Sequence, residues 1–143
     1  MIRRRQGDVL LAIAVGGALG SLARYGIAVA LPYADGAFAT ATLLVNILGS
    51  AVLGALMTTV TQLARRPRLL RPFLGTGFCG GFTTFSTYVL DTITSSAAGR
   101  PLVAVLYALC SLAASVAAVG AGMLAARRAL ARGQLRHGAE TTP

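Results

Sequence analysis

The chain has 143 residues, of which 55% are hydrophobic and only 12% are charged, whereas soluble domains carry about 25% charged residues. This composition excludes an ordinary water-soluble domain. The formal net charge of +9 comes from thirteen basic residues, all arginine, against four acidic ones. Because acidic groups are so few and no nucleophile stands next to a base, the sequence offers no catalytic constellation. We therefore predict that the protein is not an enzyme.

Four apolar stretches are each at least as long as the ~20 residues that span a bilayer as a helix. They predict an all-α integral membrane protein, with a single domain over 1–143 that contains four transmembrane helices and a basic polar tail over 127–143. The connections between the stretches are short, so neighbouring helices are expected to be antiparallel. The predicted spans are 9–31, 38–64, 73–98 and 101–126.

The first apolar stretch also resembles a secretory signal, because a basic segment precedes an apolar run that ends in small residues. Arg24 lies within this run. Removal of the segment would also leave a much smaller bundle of three helices. We therefore interpret the stretch as the first membrane helix.

The arginines cluster at the predicted membrane edges, which indicates a lipid membrane as the partner and argues against nucleic acid. Three clusters fall on one side of the membrane, and only Arg100 falls in a connection on the other. The positive-inside rule then predicts a multi-pass protein of the cell (plasma) membrane with both termini in the cytoplasm. The clusters are Arg3, Arg4 and Arg5; Arg65, Arg66, Arg68 and Arg71; and Arg127, Arg128, Arg132 and Arg136.

Small residues recur four apart within the predicted helices, as in Gly16 with Gly20 and Ser50 with Gly54. This spacing is common where membrane helices pack closely, and we interpret these positions as helix contacts. Four helices make a small bundle for a transport pathway. We therefore expect a dimer or a larger assembly.

Polar side chains within a span are costly unless they are paired or face water, so their register is informative. The second helix carries such residues at every fourth position, and the fourth helix carries a series of hydroxyl groups that predicts a polar track. Asn46 is the only asparagine in its span, and two interpretations remain open: a hydrogen bond to a neighbouring helix or a place in a pore. The two series are Thr42, Asn46 and Ser50, and Tyr107, Ser111 and Ser115.

The stretch GTGFCGGFTTFSTY at 75–88 contains a G-x-G-x-x-G pattern. A dinucleotide site needs this motif between a strand and a helix, whereas here it lies inside an apolar span. The adjacent Gly80 and Gly81 lower helix propensity, so we predict that the third helix breaks at these glycines. A broken membrane helix can hold a hard cation with its carbonyls, or it can face an anion with amides, hydroxyls and aromatic ring edges.

Three segments resemble the Fluc/CrcB family of fluoride channels: GGALGSLARY at 16–25, TLLVNILGS at 42–50 and GFCGGFTTFSTY at 77–88. The last segment is highly specific, and the resemblance covers nearly the whole chain. It implies an antiparallel, dual-topology dimer in which two oppositely oriented protomers form two fluoride pores around a central structural sodium ion. It also implies passive export of fluoride from the cytoplasm, which reduces fluoride toxicity.

The resemblance further implies roles for the residues at matching motif positions. The backbone carbonyls of Gly80 and Thr83 would hold the sodium ion, and Arg24 would lie near an aqueous vestibule. Tyr88 stands where the family usually has Phe, which adds a hydroxyl group to the path. The implied fluoride pathway consists of Asn46, Phe85, Ser86, Thr87, Tyr88, Tyr107, Ser111 and Ser115.

The arginine asymmetry disfavours equal insertion in both orientations, so we hypothesise that the chain pairs with an oppositely biased paralogue rather than with an identical chain. One rival function is a proton-coupled, four-helix multidrug exporter, which would need a carboxylate in its first helix; the stretch 9–31 has none. A second rival is a non-transporting membrane assembly protein, whose polar series would be only helix contacts. Asp91, in the third helix, is expected to be a vestibule or an interfacial residue.

Overall fold

The computed structural model describes residues 2–34, 36–62 and 67–140, with side chains placed within these ranges from 6 to 133. All regular structure in these ranges is helical, which confirms the predicted all-α class. The third helix, α3, begins as a π-helical stretch, Arg71–Cys79, and ends as one α-helical turn, Gly80–Phe82. The other helices are α1 (Ile2–Ala30), α2 (Thr40–Gln62), α4 (Phe85–Ala97) and α5 (Pro101–Glu140).

Three helical stretches are long and apolar enough to cross a bilayer, namely Gln6–Ala30, Thr40–Gln62 and Pro101–Gly133. Their outer faces expose large apolar side chains such as Leu22 and Leu102. Monomeric soluble proteins rarely expose apolar surface on this scale. The bundle is therefore built for a lipid environment, and three of the four predicted spans fall on these stretches.

The remaining predicted span, 73–98, is divided between α3 and α4. Thr83 and Thr84 lie between these helices with extended backbone, at ψ angles of 157° and 124°. The predicted break at Gly80 and Gly81 was therefore misplaced, because both glycines are helical and the chain leaves the helix after them. Neither half alone reaches the ~20 residues that a span requires, so a membrane crossing by the two halves in series stays a prediction.

α1 packs against α3 through glycines on both helices. A Cβ added to Gly16 would overlap the carbonyl oxygen of Phe73, and one added to Gly81 would overlap that of Gly17. Gly20 makes a similar backbone contact. The predicted role of the Gly16 and Gly20 pair as a helix contact is thus confirmed, and α1 is an integral part of the bundle.

α2 and α5 run parallel and approach each other as closely as α1 and α3 do. A Cβ on Gly54 would overlap the carbonyl oxygen of Val119, and one on Gly122 would overlap that of Ala51. The close approach leaves room only for hydrogen at these two positions. α2 with α5 and α1 with α3 thus form the two most extensive helix pairs of the described bundle.

Members of the predicted arginine clusters meet at one end of the bundle, whereas Arg24 and Arg100 lie elsewhere. The start of α1 reaches the segment before α3, where an Arg68 nitrogen lies 3.7 Å from an Asp8 oxygen. The exposed Arg127 and Arg128 lie on α5 near the end of α2. Arg65 and Arg66 of the predicted basic connection lie outside the described residues. α5 continues through the start of the predicted basic tail, so the described part of 127–143 is helical.

A pair of alanine substitutions in α5 tests the close contact between α2 and α5. Gly122→Ala is expected to lower the unfolding temperature in detergent, because overpacking costs about 1–3 kcal/mol and the opposing atoms belong to the Ala51 backbone. Gly120→Ala is the matched control, since a Cβ there meets no atom within 4 Å. It should be neutral or stabilising by up to ~1 kcal/mol, the helix-propensity gain of Ala over Gly. Equal unfolding temperatures for the two variants would contradict the packing.

Candidate functional site at the helix break

The break between α3 and α4 is held by one amide side chain of α2. The Asn46 Nδ2 group donates to the carbonyl oxygen of Thr84 at 3.0 Å, and the Thr84 N–H donates to Asn46 Oδ1 at 2.9 Å. An extended residue leaves both backbone groups without helical partners, and each unsatisfied group at membrane depth costs several kcal/mol. The structure shows the first of the two interpretations of Asn46, hydrogen bonds to a neighbouring segment. The residue also lies in the wall of a groove.

Hydroxyl groups complete the hydrogen bonding at the break. The Thr84 Oγ1 atom accepts from the Thr87 N–H at 3.2 Å and donates to Thr87 Oγ1 at 2.9 Å, which caps the start of α4. Thr83 closes α3, since its N–H and its hydroxyl both donate to the carbonyl oxygen of Cys79 at 2.9 Å. Sequence reasoning missed Thr84, although a threonine just before a helix is a recognised N-cap signal.

The break brings the C-terminus of one helix and the N-terminus of another to the same depth. The last carbonyls of α3 lack helical donors, and the first N–H groups of α4 lack helical acceptors. The carbonyl end carries a partial negative charge and the N–H end a partial positive charge. Discontinuous membrane helices use such ends to hold cations and anions, respectively. The break can therefore serve ions of either sign on its two sides.

An open groove of about 750 Å³ runs along the break, with walls from α2, α3, α4 and α5. Parts of the polar series of α2 and α5 and of the stretch that follows Gly80 reach it. Phe85 lies in the groove wall with 78% of the residue exposed. Seven of the predicted site residues line the groove: Asn46, Gly80, Thr83, Phe85, Tyr88, Ser111 and Ser115.

A series of aromatic rings leads away from the groove. The ring centroids of Phe85 and Tyr88 are 5.7 Å apart, as are those of Tyr88 and Tyr107. Tyr107 then meets Phe38 edge to face at 5.4 Å. Tyr107 is only 1% exposed, so it lies behind Tyr88 rather than at the groove surface. The four rings thus form one continuous chain of aromatic contacts, and aromatic ring edges carry positive partial charge.

Arg24 lies in a second, smaller cavity of about 210 Å³ that neighbours the groove. Its Nε atom is buried and makes no hydrogen bond to any described residue. Thr87 lines this cavity rather than the groove, and Thr84 lines both. Ser86 is exposed on the first turn of α4 and lines neither. Five of the predicted pathway residues thus line the groove, Thr87 lines the smaller cavity, and Ser86 and Tyr107 line neither.

Asp91, in α4, accepts hydrogen bonds from two tyrosines. The Tyr33 hydroxyl donates to Oδ1 at 2.9 Å, and the Tyr107 hydroxyl donates to Oδ2 at 3.3 Å. The Tyr33 hydroxyl also lies 3.2 Å from the Thr42 Oγ1 atom. Sequence reasoning missed Tyr33, because a single tyrosine in a short connection belongs to no periodic pattern. The carboxylate is therefore a junction between the connection that follows α1 and two membrane helices.

Known proteins similar to this chain agree with the resemblance of its motifs. Residues 11–123 match the family described as CrcB-like protein, Camphor Resistance (CrcB). A protein of Streptomyces coelicolor named fluoride-specific ion channel FluC 1 is 41% identical over 89% of this chain and 82% of its own length. FluC 2 of Thermobifida fusca is 46% identical over 79% and 84%, and FluC of Chlorobaculum tepidum is 43% identical over 82% and 94%.

The matched range begins within α1 and ends within α5, so it includes the helix break, both cavities and every residue that we assigned to them. The relatives at 41–46% identity cover most of the chain as well as most of their own lengths. The chain therefore belongs to the CrcB family, and its glycine contacts, the asparagine of α2 and the threonine-rich break are features of a member of that family.

Proposed function

We propose that this chain forms a fluoride-selective channel through which fluoride leaves the cytoplasm passively across the cell membrane. The groove at the Asn46–Thr84 break carries the proposal, because amide, hydroxyl and aromatic groups from separate helices converge there. Relatives that cover most of the chain are named as fluoride-specific ion channels, and these names supply the identity of the ion. Family membership also agrees with a channel rather than an enzyme.

The chemistry of the groove suits a small, strongly hydrated anion. Such an ion needs several donors to replace its water, and it must still bind weakly enough to leave. The hydroxyls of Ser111 and Ser115 and the ring edges of Phe85 and Tyr88 are neutral donors of this kind. Among the described residues, no arginine lines the groove, so no fixed cation there would trap the ion. Arg24, in the neighbouring cavity, would raise the local concentration of anions.

The carbonyl end of α3 suits the proposed structural sodium ion. Gly80 is exposed at the groove, and a Cβ placed on it would meet no atom within 4 Å. Hard cations take oxygen ligands such as backbone carbonyls, and the Gly80 and Thr83 carbonyls lie at the negative end of α3. Two oppositely oriented protomers that face each other at the end of α3 would each supply the Gly80 and Thr83 carbonyls. The bound cation would add positive potential beside the pathway.

The one-sided distribution of arginine supports an orientation with both termini in the cytoplasm. A dual-topology dimer then requires a second protomer with the opposite orientation, which we propose to be a paralogue.

A terminal tag probed from each side of the membrane should be accessible almost only from the cytoplasm. Equal accessibility from both sides would show that one chain inserts both ways and would contradict the paralogue.

Ion efflux from liposomes tests the proposed function directly. Vesicles that contain the purified protein, alone or coexpressed with the paralogue, should release fluoride much faster than chloride and without a proton gradient. Protein-free vesicles give the background leak. Absence of fluoride release from both preparations would refute the channel, and release that depends on a proton gradient would favour an exporter.

A matched pair of variants links the flux to the groove. Phe85→Ile removes a ring edge from the groove and should lower fluoride efflux up to about tenfold, since an aromatic contact contributes about 0.5–1.5 kcal/mol. Thr59→Ala is the control, because the Thr59 hydroxyl donates only to Ala55 of its own helix. Both variants should elute from a sizing column as the wild type does. Equal efflux in the two would remove Phe85 from the pathway.

A further inference from the structure

We infer that Tyr33, in the connection between α1 and α2, is a positioning residue for the transport pathway. Its hydroxyl holds the Asp91 carboxylate, and the carboxylate in turn fixes Tyr107 behind the groove. The consequence for transport rests on the proposed function, whereas the cluster of Tyr33, Asp91 and Tyr107 rests on the contacts alone. We call these three residues the tyrosine–aspartate cluster.

The cluster ties together parts of the chain that are distant in sequence. Tyr33 comes from the connection, Asp91 from α4 and Tyr107 from α5, and Thr42 of α2 lies within 3.2 Å of the Tyr33 hydroxyl. Each carboxylate oxygen of Asp91 accepts from a different tyrosine. A hydrogen bond to a carboxylate contributes more to stability than one between neutral groups. The cluster therefore fixes the position of the connection on the helices as well as that of the carboxylate.

The direction of the Asp91 carboxylate matters because the pathway is proposed to carry an anion. A carboxylate that turned towards the groove or the Arg24 cavity would repel a passing anion or pair with Arg24. With Oδ1 bound to Tyr33 and Oδ2 bound to Tyr107, the negative charge is directed at two phenol groups instead. Tyr33 thus keeps the one described carboxylate of α4 out of the path.

Tyr107 connects the cluster to the groove. A phenol has a single proton, and Tyr107 donates it to Asp91, so its contribution to the groove is its ring rather than its hydroxyl. That ring lies 5.7 Å from Tyr88, which lines the groove. Loss of the Tyr33 hydroxyl leaves Asp91 Oδ1 without this donor. The carboxylate then turns to find another donor and releases Tyr107 from its place in the ring series.

The test compares the removal of single hydroxyl groups. Tyr33→Phe should lower fluoride efflux about tenfold and reduce the preference for fluoride over chloride, because it removes one hydrogen bond to a charged acceptor. Thr59→Val, which removes a hydroxyl that donates only to Ala55 of its own helix and lines neither cavity, should leave both quantities unchanged. Wild-type efflux and selectivity in Tyr33→Phe would overturn the inference.

A double variant shows whether Tyr33 acts through Asp91. If it does, Tyr33→Phe should change efflux less than about twofold when it is added to Asp91→Ala, since the acceptor is already absent. If Asp91→Ala does not fold, Asp91→Asn serves in its place, because it removes the negative charge that the Tyr33 hydroxyl holds. If the effects of the two single substitutions on efflux add fully in the double variant, Tyr33 does not act through Asp91.

Tyrosine emission gives a readout that needs no transport. The chain has no Trp and four Tyr, and a hydrogen bond from a phenol to a carboxylate quenches its fluorescence. Tyr25→Phe should lower the emission, because it removes an unquenched fluorophore. Tyr33→Phe should not lower it, because it removes a quenched fluorophore and frees Tyr107 from Asp91. A drop as large as that of Tyr25→Phe would overturn the cluster, even if the wild type carried no fluoride.

Discussion

The paired hydrogen bonds between Asn46 and Thr84 are the interaction on which the rest of the structure depends. An extended residue in the middle of a membrane helix exposes a donor and an acceptor that lipid cannot satisfy. A primary amide can satisfy both groups at once, because its NH₂ group donates and its carbonyl oxygen accepts. Because Asn46 supplies both at 2.9–3.0 Å, the chain can remain extended there, and two helix ends of opposite partial charge open onto one groove.

The glycine contacts keep this arrangement in register. Gly16 and Gly20 let α1 lie directly on the α3 backbone, and Gly54 and Gly122 do the same for α2 and α5. Asn46 lies on α2, so its reach to the break depends on how closely α2 approaches the rest of the bundle. Polar function and apolar packing are therefore coupled, and the tyrosine–aspartate cluster adds a third tie behind the groove.

Much of this was predictable from sequence, because membrane helices must satisfy simple constraints. Length and hydropathy predicted the helical class, and small residues four apart correctly predicted the contact of Gly16 and Gly20. The position of the break was wrong. Low helix propensity pointed to Gly80 and Gly81, but Gly81 is needed where α3 touches Gly17, and tertiary contact overrides propensity. The chain leaves the helix at Thr83 and Thr84 instead, where hydroxyl groups and Asn46 replace the lost helical partners.

Side-chain partners were less predictable than helices. The sequence left Asn46 with two interpretations, because a polar residue in a span looks the same whether it bonds a neighbour or faces water. It placed Tyr107 in a hydroxyl series with Ser111 and Ser115, yet Tyr107 is buried and donates to Asp91. That partner comes from another helix, and Tyr33 comes from a connection without any periodicity. Such contacts follow from the packing of distant segments, which one sequence does not encode locally.

Hydrogen exchange at the Thr84 amide, measured in a lipid bilayer, tests the central claim most directly. The wild type should protect this amide as strongly as the helical amides of α3, although Thr84 is extended. Asn46→Ala should abolish the protection of Thr84 and leave that of Gly77 in α3 unchanged. Equal protection of Thr84 with and without the Asn46 side chain would contradict the account.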